Sequence, residues 1–182
     1  MMPSRPVAAR AKKIRLLVMD VDGVLTDGRM ILSERGDELK SFHTHDGIGL
    51  ALAKRAGLRT ALVTGESSPI AKARGTKLGV DSVVLGARRK RESVEALRAE
   101  FGVAADAVAF IGDDLLDIPA LQVAGLAVTV ADAPAAVKAV AHVVTRARGG
   151  HGAVRELIEL ILKSQRSWQE VVDAYVREHG GR

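Results

Sequence analysis

Short runs of aliphatic and β-branched residues alternate along the chain with stretches whose apolar positions recur at helical spacing. The run Ile14-Arg15-Leu16-Leu17-Val18-Met19 predicts a buried strand that ends at Asp20. Residues 46–56 follow as a helix, with Asp46 as its N-cap and Gly57 as its stop. Further strands are expected at Arg59–Thr64, Asp81–Leu85, Val108–Gly112 and Leu126–Val130. Helices are expected between them, from about Ser68 to Leu78, Arg91 to Phe101 and Leu115 to Val123, closed by Gly79, Gly102 and Gly125. A βαβα rhythm of this kind predicts a parallel sheet with helices on both faces.

One segment breaks the rhythm. Between Gly28 and Phe42 the chain reads Arg-Met-Ile-Leu-Ser, a polar Gly-containing turn, and Glu-Leu-Lys-Ser-Phe. This predicts a β-hairpin over 28–43, inserted between the first strand and the first helix and too short to be a domain. The C-terminal part carries two helical stripes, Val154/Leu157/Ile158/Ile161/Leu162 and Trp168/Val171/Val172/Tyr175/Val176. Residues 1–13 are expected to be a flexible basic tail, and 14–178 a single domain. The fold class is α/β, a Rossmann-like three-layer sandwich with a mostly parallel sheet and the small hairpin.

The 182 residues contain no cysteine, which removes disulfides, thiolate metal sites and cysteine nucleophiles and is compatible with a cytoplasmic setting. No run approaches the roughly 18 apolar residues of a spanning helix, so no membrane role is expected. The net charge of +5 invites a nucleic-acid reading. Arg5, Arg10, Lys12 and Lys13 carry most of it, leaving about +1 for the remaining chain. The basic run Arg88-Arg89-Lys90-Arg91 has no aromatics interleaved, and aromatics make up only 3% of the chain. A solvated or anion-facing cluster fits better than a polynucleotide groove.

The acids are more informative. Asp20 and Asp22 sit where the first strand ends, in Met-Asp-Val-Asp-Gly-Val-Leu-Thr-Asp-Gly, and Gly23 permits the turn that brings both to one place. The strand at 108–112 ends in Gly-Asp-Asp-Leu-Leu-Asp, which adds Asp113, Asp114 and Asp117 at the same edge. Open α/β sheets bind ligands at the carboxyl ends of their strands. Five acids gathered there repel unless a cation sits among them, and oxygen donors without His or Cys favour Mg²⁺. Thr64 and Gly65 end the second strand with a hydroxyl and a backbone N–H, and Lys90 follows the third. Such a set suits phosphoryl transfer, with a carboxylate attacking phosphorus while metal and lysine neutralise its oxygens.

Asp20-Val-Asp22-Gly-Val, Thr64-Gly65, Lys90 and Gly112-Asp113-Asp114-x-x-Asp117 resemble, in order, the four motifs of the haloacid dehalogenase phosphatase superfamily. The resemblance spans about residues 14–160. More narrowly, Asp22–Gly28, the hairpin, Phe42-x-x-x-Asp46-Gly47 and Gly149-Gly150-x-Gly152-Ala153-Val154-Arg155-Glu156 resemble its capless group. That group includes 3-deoxy-D-manno-octulosonate (KDO) 8-phosphate phosphatases. The resemblance implies Asp20 as nucleophile and Asp22 as general acid and then base. It implies Mg²⁺ held by the Asp20 and Asp113 carboxylates and the Asp22 carbonyl. Thr64 and Lys90 would bind the phosphoryl group, with Asp114 and Asp117 acting through waters and orientation. It further implies a homotetramer built through the hairpins, a neighbouring subunit helping to enclose the site, and a Gly-Gly stretch that contributes to closing it. Where those phosphatases commonly read Thr-Gly-Arg, this chain reads Thr64-Gly65-Glu66. Glu66, with Arg74 and Lys77, looks more like phosphatases of nine-carbon keto acids such as KDN 9-phosphate, and His45 stands where a basic residue is frequent.

The expected substrate is therefore a 2-keto-3-deoxy sugar acid phosphate. Plainer readings stand beside these. Asp117 doubles as a first-turn helix acid, Glu66, Arg74 and Lys77 suit a solvent-facing helix, and His43, His45 and His151 suit hydrogen-bonding loops. A second function class is a non-catalytic oligomerisation module that accompanies sugar-nucleotide (CMP-sugar) activation.

Overall fold

The computed structural model describes residues 4–34 and 38–181. Six strands form one sheet: β1 (Leu16–Met19), β4 (Arg59–Val63), β5 (Ser82–Val84), β6 (Val108–Gly112), β7 (Leu126–Thr129) and β8 (Val143–Val144). Their spatial order is β5-β4-β1-β6-β7-β8 and every neighbouring pair is parallel. The chain thus winds outward from β1 in one direction and then from β6 in the other. The reversal leaves a crevice between β1 and β6 where α/β sheets bind ligands. Five of these strands follow the sequence reading; β8, only two residues long, carries too little pattern to be seen in it.

The strands are aliphatic because both faces are covered. Leu16–Met19 are wholly buried, as are Ala61–Val63, Ala109–Ile111 and Leu126–Val128. On one face α2 (Thr44–Arg55) packs against α3 (Pro69–Leu78), α7 (Ala153–Ser164) and α8 (Trp168–Glu178). On the other, α4 (Lys90–Glu100) meets the short α5 (Ile118–Leu121), with α6 (Ala135–Lys138) following β7. The expected helix over 115–123 is broken up: a 3-10 turn at Leu115–Asp117 precedes α5, where Asp114 and Asp117 form a capping box. The helix predicted to begin with Asp46 as cap begins two residues earlier. His43 is its cap, and its Nδ1 accepts from the His45 N–H at 3.2 Å.

The N-terminal segment corrects the expectation of a flexible tail. Arg5–Lys13 is a helix, α1, that packs against α7. Pro6 suits its first turn, and Val7, Ala11 and Ile14 fall at helical spacing on one side. Ala11 and Ile14 are fully buried, and the Arg10 guanidinium donates to the Gly125 carbonyl at 2.8 Å. The basic residues that suggested a tail occupy its outer face.

The hairpin exists as a separate two-stranded sheet, β2 (Ile31–Leu32) with β3 (Glu38–Leu39) antiparallel; the tip of its turn, 35–37, lies outside the described residues. Among the described residues no helix is long and apolar enough to cross a membrane.

Candidate active site

Parallel register brings three strand ends level. Met19 of β1 pairs with Leu62 of β4 on one side and Ile111 of β6 on the other. The residues that follow, Asp20, Thr64 and Asp113, therefore emerge at one rim. There they line a cavity of about 250 Å³ with Asp22, Gly65, Glu66 and Lys90, among others. A larger groove of about 320 Å³ lies between α1, β8 and α7, but its walls are mainly apolar and it contains none of these acids.

Oxygens of Asp20, Asp113 and Asp117 lie within 4.8 Å of one another. Lys90 Nζ, only 5% exposed, reaches Asp20 Oδ2 at 2.8 Å and Asp117 Oδ1 at 2.7 Å. It begins α4, so a charge run that resembled surface decoration contributes one inward-facing member. Three carboxylates against one ammonium leave an excess of negative charge in a poorly solvated place. Burial, then the charge of Asp117, hold the Asp20 carboxyl well above its ordinary range, with Lys90 pulling the other way. The same causes push Asp113 up to about 7. Burial works against the Lys90 ammonium, yet the carboxylates of Asp20 and Asp117 outweigh it and raise its pKa. An all-oxygen donor set with surplus negative charge fits a hard divalent cation.

Local structure aims these groups. The Val21 N–H donates to Asp20 Oδ1 at 2.7 Å, and the N–H of Thr26 returns to the Val21 carbonyl at 3.0 Å, curling the loop after β1. Gly23 has φ +85°, and the Asp113 carboxylate lies where its Cβ would be, with Oδ2 2.0 Å from that point. Asp117, 1% exposed, is more central than the sequence indicated. Its Oδ2 accepts from the N–H groups of Asp113 at 2.9 Å and Asp114 at 3.2 Å, so one side chain orients the loop and holds Lys90. The carboxylate of Asp22 stands apart from this trio. It receives the Thr64 hydroxyl at 3.2 Å and, on its other oxygen, the Lys40 ammonium. Lys40 was not singled out from sequence, because nothing in a hairpin pattern marks which lysine turns inward.

The remaining expectations divide. Gly65 and Glu66 line the cavity, and Thr64 Oγ1 also accepts from the Glu66 N–H at 3.1 Å. Arg74 and Lys77, grouped with Glu66 from sequence, do not line it. Arg74 packs over the Phe42 ring at 5.0 Å, where burial lowers its pKa and the charge of Asp46 partly opposes that, while Lys77 is exposed on α3. His45 is exposed at the start of α2. Asp46 caps a different helix from the one predicted: its Oδ1 accepts from the Arg155 N–H at 2.7 Å, in the first turn of α7. Just before that turn, the Gly150 N–H donates to the Val24 carbonyl at 2.9 Å. A Cβ on Gly149 would fall 1.8 Å from the Gly23 carbonyl oxygen, so backbone packs directly on the loop that carries Asp20.

Residues 77–157 match the family model of the haloacid dehalogenase-like hydrolases. The chain is 40% identical over 162 residues to the 3-deoxy-D-manno-octulosonate 8-phosphate phosphatase of Escherichia coli K12, covering 89% of this chain and 86% of that protein. It belongs to this phosphatase family. The solved Moraxella catarrhalis phosphatase of the same name, in complex with magnesium, phosphate and KDO, superimposes with a TM-score of 0.92 at 36% identity, covering 95% of this chain and 99% of that one. The Yersinia pestis phosphatase gives a TM-score of 0.89 at 39% identity, over 91% and 89% of the two chains. Membership in a phosphatase family sets aside the non-catalytic oligomerisation module.

Proposed function

We propose that this phosphatase is Mg²⁺-dependent, acts in the cytoplasm and releases inorganic phosphate from KDO 8-phosphate, a 2-keto-3-deoxy sugar acid phosphate, through an aspartyl-phosphate. The observation that carries the proposal is the cluster of Asp20, Asp113 and Asp117 at the β1/β6 crevice, with the buried Lys90 paired to Asp20 and Asp117. Asp20, Asp113 and the backbone carbonyl of Asp22 would hold the ion, with Asp117 beside it. When bound, Mg²⁺ offsets the surplus carboxylate charge and that of the phosphate.

Asp20 attacks phosphorus and the bond from phosphorus to the sugar oxygen breaks. Asp22 gives its proton to that departing oxygen. In the second half, a water adds to phosphorus, Asp22 takes up its proton, and phosphate departs as the Asp20 carboxylate is restored. Thr64 and Lys90 bind the phosphoryl oxygens, with the Gly65 backbone beside them. Glu66 faces the sugar and accepts from its hydroxyls.

The nine-carbon alternative rested on Glu66, Arg74 and Lys77 acting together. Only Glu66 lines the cavity, which favours the eight-carbon substrate. A homotetramer is part of the proposal. Met30, Ile31, Leu32 and Leu39 are all exposed on the hairpin, and Leu32 is 65% exposed, an apolar surface that a second copy of the chain would cover.

Side-by-side turnover of KDO 8-phosphate, KDN 9-phosphate and an aryl phosphate, with Mg²⁺ and with chelator, tests the reading. The expected result is Mg²⁺-dependent phosphate release with the highest kcat/KM on KDO 8-phosphate. No metal-dependent release from any of the three overturns it, and preference for the nine-carbon ester restores the alternative.

A further inference from the structure

We infer that Lys40, delivered by the hairpin, is a positioning residue for Asp22. This rests on the phosphatase reading above and adds a residue to it. Lys40 directly follows β3, and its side chain is 0% exposed, while its neighbour Leu39 stands out in solvent. A fully buried ammonium is costly unless a carboxylate meets it. Here Lys40 Nζ meets Asp22 Oδ1 at 2.5 Å. The side chain of Asp22 is 24% exposed and lines the cavity, whereas Lys40 does not line it. Lys40 is therefore set behind Asp22, and its bearing on a bound phosphate ester runs through that carboxylate.

The geometry of Asp22 explains the need. Asp20 is fixed by Lys90 and by the Val21 N–H, and Asp117 by Lys90 and two N–H groups. Asp22 lies in the same loop but outside that lattice. Its two oxygens are held by the Thr64 hydroxyl, just past the end of β4, and by Lys40 from the hairpin. A carboxyl group that must give and then take a proton along one line needs a fixed orientation. Without Lys40, the Thr64 hydroxyl still holds one oxygen of Asp22, but the hold on the other oxygen from the hairpin is lost and the carboxyl group is less firmly oriented. The hairpin thereby contributes to the chemistry as well as to the surface.

The test compares Lys40→Met, which keeps length and suits a buried site, with the wild-type chain on the preferred sugar phosphate. The expected result is a kcat reduced by about 100-fold, the cost of misplacing a catalytic group. KM stays within about threefold, and the unfolding midpoint and particle mass are unchanged. In the Asp22→Asn background, read by single turnover with excess enzyme, the same substitution costs less than about twofold, because its target is already gone. A wild-type kcat in Lys40→Met overturns the inference. So does a loss that tracks a lower midpoint or altered mass, or one that repeats in full in the Asp22→Asn background. A wild-type chain that releases no phosphate from any ester defeats the phosphatase reading instead, so the two failures are distinguishable.

Discussion

The rim of the sheet and the hairpin are built on opposite terms. At the rim, charge is buried and every group is held: Lys90 between two carboxylates, Asp117 against two N–H groups, Asp113 against the Cα of Gly23. In the hairpin, two strands of two residues each pair only with one another and show leucine, isoleucine and methionine to solvent. The charged groups of the first region are held by contacts within one chain. The second has an exterior that another protein surface would complete. The difference separates the chemistry from the assembly, with the Lys40–Asp22 contact joining them.

The largest expected effect breaks the rim without breaking the fold. If Asp20 is the nucleophile as proposed, Asp20→Asn removes the attacking oxygen and should lower kcat by at least about 10³-fold. Its thermal midpoint in chelator should stay level or rise, since burial and Asp117 already disfavour a charge at that position. Phosphate release and thermal unfolding read both, and an active Asp20→Asn enzyme would remove the nucleophile assignment.

An intermediate effect sharpens the contrast through pH. The Asp113 carboxyl ionises near 3.8 in an unfolded chain and near 7 in the folded one. Its contribution to stability is therefore complete below about 3.8 and is lost as pH climbs through 7. Metal-free protein should lose unfolding midpoint between pH 5 and 8, and Mg²⁺ should raise the midpoint more at pH 8 than at pH 5. An equal or larger increment at pH 5 would mean that the cation binds elsewhere.

The smallest effect on the fold belongs to the hairpin. Leu32→Lys should leave the stability of the single chain within about 0.5 kcal/mol, as exposed positions do. Sedimentation should nevertheless show smaller particles. Unchanged mass would assign assembly to a different surface.

The same contrast governs what the sequence reveals. Strand ends that carry acids are local signals, so Asp20, Asp113, Thr64 and Lys90 are legible from runs of a few residues. The fold class follows too, because alternating aliphatic strands and Gly-stopped helices are also local. What escapes is set by distance along the chain. Lys40 meets Asp22 across the hairpin, and Asp46 caps a helix 109 residues later. Arg74 satisfies a spacing argument yet turns to Phe42. The helix at 5–13 escapes for another reason, since its basic outer face obscures the three apolar positions that dock it.

The contact between Gly149 and Gly23 has a mechanical consequence. With no room for even a methyl group, there is no cushion between the last third of the chain and the loop that bears Asp20. A shift of α7 by a fraction of an ångström would be passed on to that loop undamped. The C-terminal helices are in this sense the backstop of the loop that bears Asp20. Shortening them would detune the reaction from behind.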